Sequence, residues 1–178
     1  MKRITTPAEM RSLVAAWRAD GQRIGLVPTM GFLHEGHLSL VDLAATRADR
    51  VVVSIYVNPT QFGPGEDLAA YPRDIEGDEA RCRDRGVAAV FYPSDAMMYA
   101  PDHSTWVVED CLSGPLCGRS RPIHFRGVTT VVTKLFHIVQ PEVAVFGQKD
   151  AQQVFVIQRM VRDLDFPVEI LVGPIVRE

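Results

Sequence analysis

A chain of 178 residues, 47% hydrophobic and 23% charged, has the length and composition of one soluble domain with a real core. A net charge of −3 lacks the basic surplus of a nucleic-acid binder, and no segment reaches membrane-spanning length, so neither nucleic acid nor membrane is expected as a partner. Three cysteines, Cys82, Cys111 and Cys117, form no C-x-x-C, which disfavours a zinc ribbon or disulfide framework and points to reduced thiols in a cytoplasmic protein.

The N-terminus, Met1 to Pro7, has no hydrophobic leader. Thr6-Pro7 followed by Glu9 opens a helix whose inner stripe is Leu13, Val14 and Trp17, ending at Gly21. Ile24 to Val27 reads as a buried strand end before Pro28. From Leu38, the residues Val41, Leu43, Ala44 and Ala45 suit a core-facing helix, and Val51 to Val57 is a β-branched run for a strand buried on both faces. Arg73 to Arg85 is a charged helix stopped by Gly86, and Val87 to Tyr92 is a strand. Arg126 to Val139 carries apolar residues at i, i+3, i+4 and i+7 and stops at Pro141. Val143 to Phe146 is a strand, Ala151 to Leu164 a helix, and Val168 to Val172 closes the series. Strands alternating with helices predict an α/β fold: a Rossmann-like, doubly wound, mainly parallel sheet with helices on both faces. Ligands of such sheets sit beyond the carboxyl ends of the strands, near the topological switch point.

Three loops on that rim carry unusual chemistry. The first, Met30-Gly31-Phe32-Leu33-His34-Glu35-Gly36-His37, is a strand–turn–helix passage ending in H-x-G-H. Gly31 allows a tight turn, and Gly36 lets a ligand's phosphates approach the backbone. The helix start offers unpaired N–H groups and partial positive charge, and two imidazoles three positions apart can donate to phosphate oxygens. A metal-binding H-x-x-H is the competing reading, but His103, His124 and His137 stand in no ligand-like spacing, so no metal site is assigned.

The second loop, Asn58 to Gly65, presents neutral amides, with Gln61 able to donate and accept; an ordinary turn explains the same residues. The third, Gly147-Gln148-Lys149-Asp150 leading to Gln153, combines close approach at Gly147 with a mobile cation at Lys149. Asp150 suits either a helix cap or a ribose hydroxyl. Arg121 and Arg126 suit an anionic ligand or a partner subunit, and His124 a helix cap or a local hydrogen bond.

The stretches LVPTMGFLHEGHLSLV, VVSIYVNPTQFGPGEDLAAYPRD, RPIHFRGVTTVVTKLF and VFGQKDAQQVFVIQRMVRDL, in this order, give the chain a resemblance. It resembles the N-terminal, nucleotide-binding domain of the pantothenate synthetase (pantoate–β-alanine ligase) family. The resemblance implies ATP contacts at Met30 to His37, at Gly147 to Asp150 and at the backbone near Val176. His37 would be the acid–base group, with His34 and Lys149 beside it. Gln61, Gln153 and Asn58 would meet the small substrates pantoate and β-alanine. Mg²⁺ would accompany ATP, and the protein would be a homodimer. Gln148 stands where the family usually has Glu. Residues 1–178 would be one nucleotide-binding catalytic domain, without the family's smaller C-terminal domain. The implied reaction is ATP-dependent condensation of pantoate with β-alanine through pantoyl adenylate, releasing AMP and pyrophosphate. Alternatives are another H-x-G-H nucleotidyltransferase, which would want more cationic residues for its second anion, or a non-catalytic nucleotide-binding module.

Overall fold

The computed structural model describes residues 1–63, 65–66 and 68–176, so Pro64 of the second loop lies outside the described residues. The strands are β1 (Lys2–Ile4), β2 (Ile24–Thr29), β3 (Arg50–Ile55), β4 (Ala89–Phe91), β5 (Val143–Gly147) and β6 (Glu169–Gly173). The helices are α1 (Pro7–Ala19), α2 (Glu35–Ala45), α3 (Ile75–Asp84), α4 (Asp95–Met98), α5 (Cys117–Ser120), α6 (His124–Val139) and α7 (Ala151–Asp163). The sheet runs β1-β4-β3-β2-β5-β6, and every neighbouring pair is parallel. The doubly wound α/β architecture expected from the alternation is therefore present.

Alternation along each strand sends apolar side chains to both faces, as a doubly covered sheet requires. Leu26, Val52, Phe91 and Ala144 pack against Met10 and Val14 of α1, the inner stripe of α6, and Ile157 of α7. Val27, Val53, Val90 and Val145 pack on the other face, against Leu40, Val41 and Ala44 of α2 and Cys82 of α3. Each such fully buried aliphatic contributes roughly 1.5–3 kcal/mol of transfer free energy.

Element boundaries differ from those expected where local chemistry outranks periodicity. β1 has no counterpart among the predicted elements, because a three-residue, largely exposed edge strand has no periodic signal and exists through its pairing with β4. α3 starts at Ile75 rather than Arg73, because Asp74 caps it by accepting from Gly77 N at 3.0 Å. α6 starts two residues before Arg126, at His124, and the short α4 and α5 lie in stretches without helical periodicity.

The chain winds outward from β2 to β3 and β4, then returns to lay β5 on the other side of β2, so the switch point lies between β2 and β5. The β2–β5 ladder ends at Leu26↔Ala144, while β2 stays paired with β3 as far as Thr29↔Ile55. Beyond Leu26 the next strand residues include Pro28, which has no N–H to offer. The sheet opens there, and the first and third loops leave it on opposite sides of the gap.

Candidate active site

A cleft of about 500 Å³ fills this opening. Its wall comprises Pro28 to Phe32, His34, Gly36 and His37 from the β2 side, Phe146 to Asp150 and Gln153 from the β5 side, and Asn58 and Gln61 from the loop after β3. Val128, Val131, Val132 and Leu135 of α6 form an apolar flank, and Pro174 to Val176 close the far end. A smaller cavity of about 290 Å³ lies behind Met30 and Gly31 and shares Tyr56 with the cleft.

Of the site residues expected from sequence, Met30, Gly31, Phe32, His34, Gly36, His37, Asn58, Gln61, Gly147, Gln148, Lys149, Asp150, Gln153 and Val176 all line this one cleft. Leu33 and Glu35 do not. Leu33 is 4% exposed and packs into the core, and Glu35 points outward to Arg85, 2.8 Å away.

His34 is the N-cap of α2, with its Nδ1 accepting from Gly36 N at 3.0 Å, while His37 Nδ1 lies 3.4 Å from His34 N. A ring nitrogen that accepts from a backbone N–H carries no proton, so each neutral imidazole keeps its hydrogen on Nε2. Both rings thus offer one N–H donor beyond the helix start, with centroids 4.1 Å apart. Burial, then the neighbouring His34 and Lys149, pull His37 down from an ordinary 6.5 to about 4. At neutral pH it is an uncharged donor.

The sign of the resulting pH dependence follows from proton binding. As pH falls through 6.5 the unfolded chain takes up a proton that the native site refuses, so this group withdraws stability between about 6.5 and 4 and adds nothing above. Long-range nitrogen–proton NMR should find His37 neutral, protonated on Nε2, from pH 8 down to about 5.5, with a midpoint near 4. A midpoint at the ordinary imidazole value would contradict the burial argument.

Gly36 has a structural reason to lack a side chain. A Cβ there would lie 2.8 Å from His34 Cε1, so the missing side chain makes room for the protein's own imidazole. Gly36→Ala should therefore displace the cap, costing roughly 1 kcal/mol of stability. Thermal melts would show the loss. An unchanged His34 ring environment in the variant would refute this.

Sequence reasoning missed the residue that shapes the loop. Asp78 of α3 is 1% exposed and accepts from Phe32 N at 2.8 Å and from Leu33 N at 2.7 Å. It holds the backbone where Gly31 and Phe32 both take positive φ, of 86° and 54°. Asp78 gives no signal of its own because α3 is rich in acidic residues, and only the fold distinguishes it from exposed Glu76.

Across the cleft, Gln148 to Asp150 form a 3-10 turn ahead of α7. Asp150 is the N-cap by position, yet its side chain makes no capping bond, which leaves its carboxylate available. Lys149 makes no ion pair or hydrogen bond among the described residues and sits close enough to His37 to depress its pKa. Gln152, beside the cleft residue Gln153, is committed elsewhere, anchoring the loop at Leu112, Pro115 and Cys117.

Three further residues make contacts within the chain. Arg121 is paired with Glu66 and reaches Gln61 O at 3.4 Å. His124 Nδ1 lies 3.1 Å from the same carbonyl, which must accept, so His124 carries its proton on Nδ1. Burial lowers its pKa, with the Gln61 carbonyl opposing. Arg126 stacks 4.5 Å from the Trp106 ring centroid.

The sequence matches the family model described as pantoate-beta-alanine ligase over residues 2–178. It is 60% identical over its full length to a pantothenate synthetase of Thermotoga neapolitana, of which it covers 64%. The fold superimposes on the crystal structure of pantothenate synthetase from Thermus thermophilus with a TM-score of 0.94 at 49% identity, covering all of this chain and 63% of that one. A pantoate-beta-alanine ligase from Francisella tularensis, solved in complex with beta-gamma ATP and beta-alanine, superimposes at 0.95 and 36% identity, covering 100% and 68%. The chain spans 62–64% of the length of the curated relatives it matches.

Proposed function

This chain belongs to the pantoate–β-alanine ligase family, and we propose on that premise that its cleft binds ATP and pantoate and joins them as pantoyl adenylate. The observation that carries the reading is convergence. Two imidazole N–H donors at the mouth of α2 and the Lys149 cation, unpaired among the described residues, face one opening, and the amides of Gln61 and Gln153 line the same space. The N-terminus of α2 and these donors suit a triphosphate. The apolar flank of α6 beside two neutral amides suits a compact, branched hydroxy acid such as pantoate.

In this reading the nucleotide's ribose and adenine extend past Gly147 and Asp150 toward Val176. Pantoate, held by Gln61 and Gln153 beside Asn58, directs a carboxylate oxygen at the α-phosphorus. The new P–O bond forms as the bond to the bridging β-phosphate oxygen breaks, and pyrophosphate leaves. His34, His37 and Lys149 stabilise the charge growing on the phosphate oxygens. Because His37 is neutral at rest, its first contribution is as a hydrogen-bond donor. Acid–base work requires the triphosphate's charge to raise its pKa. The amine of β-alanine then attacks the acyl carbon, AMP departs, and the amine releases a proton. Mg²⁺ would accompany the triphosphate and offset part of its charge; the described residues offer no cluster of three or more His, Cys, Asp or Glu to hold it by themselves.

The same proposal takes residues 1–178 as the nucleotide-binding catalytic domain of a cytoplasmic homodimer. Three free cysteines fit a reducing compartment. Among the described residues no helix is long and apolar enough to cross a membrane. The segment from Thr105 to Val108, where Val108 is 54% exposed, supplies apolar surface for a partner.

Pyrophosphate release by this chain with ATP·Mg²⁺ is expected to depend on pantoate and not on phosphopantetheine or nicotinate mononucleotide. Release with either phosphate ester would favour a different nucleotidyltransferase. Saturating ATP·Mg²⁺ that leaves the NMR signals of Gly36, His37 and Lys149 unmoved would remove the site.

A further inference from the structure

Gln61 has two chemically opposite ends, and which one faces the substrate decides what it can recognise. The hydrogen bonds around it settle the question. Asn58, 1% exposed, has one amide atom surrounded by donors: Tyr99 OH at 2.9 Å, Thr60 Oγ1 at 3.0 Å and Thr60 N at 3.4 Å. That atom must be Oδ1, so the other is Nδ2. Nδ2 in turn donates to Gly127 O at 3.1 Å and to Gln61 Oε1 at 3.2 Å. With Oε1 occupied, the remaining end of Gln61 is Nε2, whose protein contact is the weakly accepting Met30 Sδ at 3.3 Å. Met30 and Gln61 both line the cleft, whereas Tyr99 does not.

We propose that Tyr99 is a positioning residue: its hydroxyl, acting through Asn58, locks the Gln61 amide with the N–H end toward the cleft and makes that subsite select an oxygen acceptor. The inference rests on the functional reading above, in which the acceptor is a hydroxyl or carboxylate oxygen of pantoate. The relay is built rather than incidental. A Cβ at Gly127 would fall 2.6 Å from the Gln61 backbone N and from Thr60 O, so only glycine lets α6 bring its carbonyl to Asn58. Tyr99 is itself held, with the His103 ring 4.9 Å away edge-on and Lys134 Nζ 5.2 Å from its centroid. Burial raises its pKa, so the phenol keeps the proton it donates.

The substitution Tyr99→Phe removes one hydroxyl and keeps the ring. It should weaken pantoate binding about tenfold while leaving ATP affinity within about twofold, because an orienting donor to a buried amide is lost and no nucleotide contact is touched. Acting through Gln61, it should lose its effect in a Gln61→Ala background, where adding Tyr99→Phe should change pantoate affinity by less than about twofold. Equal losses in both backgrounds would mean that Tyr99 serves packing alone, and would overturn the proposal. If Gln61→Ala itself leaves pantoate binding untouched, the functional reading of the cleft fails instead. A ligand-independent readout keeps the two separable. The side-chain amide protons of Asn58 should exchange slowly in the unsubstituted chain and markedly faster in Tyr99→Phe. Unchanged protection would overturn the relay whether or not pantoate binds.

Discussion

On the proposed reading of the cleft, replacing His37 by Ala should lower pantoyl-adenylate formation by roughly 10²–10³-fold, about 3–4 kcal/mol of barrier, because a preorganised donor at the developing phosphate charge would be removed. The fold should survive. Among the described residues the ring's one hydrogen bond to backbone is the 3.4 Å approach of His34 N, and its side chain is only partly buried. His34 continues to cap α2 through Gly36 N. The measurement is single-turnover release of pyrophosphate at saturating ATP and pantoate, alongside a thermal melt. Because the ring is neutral at rest, His37→Asn, which keeps an N–H donor of shorter reach, should recover part of the loss. Adenylation at the unsubstituted rate in His37→Ala would end the assignment of the H-x-G-H segment to the triphosphate.

Asp78→Ala should have the largest effect on stability. It leaves two buried N–H groups, at Phe32 and Leu33, without acceptors, at roughly 1–3 kcal/mol each. Relief from burying a carboxylate that has no ion pair among the described residues offsets part of this. A net loss of about 3 kcal/mol, or roughly 6–12 °C in Tm for a domain of this size, is expected. On the proposed reading, nucleotide affinity should fall with it, because the loop carrying His34 and His37 is shaped by those two bonds. Asp78→Asn should be intermediate: it keeps one acceptor but turns an N–H toward a donor. Calorimetry and ATP titration of both variants check this, and an Asp78→Ala variant that melts with the parent would show the loop to be held by other means.

Much of the fold was legible because its signals are local. The β-branched run around Val52 and Val53, the amphipathic stripe from Val128 to Val139, and the stops at Gly86 and Pro141 each reflect a short-range preference of backbone or side chain. The elements missed lack such signals. β1 is three residues long and paired only at the edge, and α4 and α5 are single turns set in loop. Arg121, a candidate anion or partner contact by sequence, is paired with Glu66, a residue 55 positions away whose identity no local pattern reveals.

By itself the amino-acid order specified the class of fold, the three loops that carry chemistry and half of the residues that line the cleft, the polar ones above all. It could do so because strand–turn–helix passages, helix caps and H-x-G-H spacing operate within a few residues. Tertiary structure alone decided three things: that β5 returns beside β2 so two of those loops meet across one gap, that Gly36 makes room for His34, and that Asp78 and Tyr99 govern the loop and amide they touch. Each of these depends on atoms brought together from distant positions in the chain or on a steric clash visible only in three dimensions, and neither leaves a trace in periodicity or spacing.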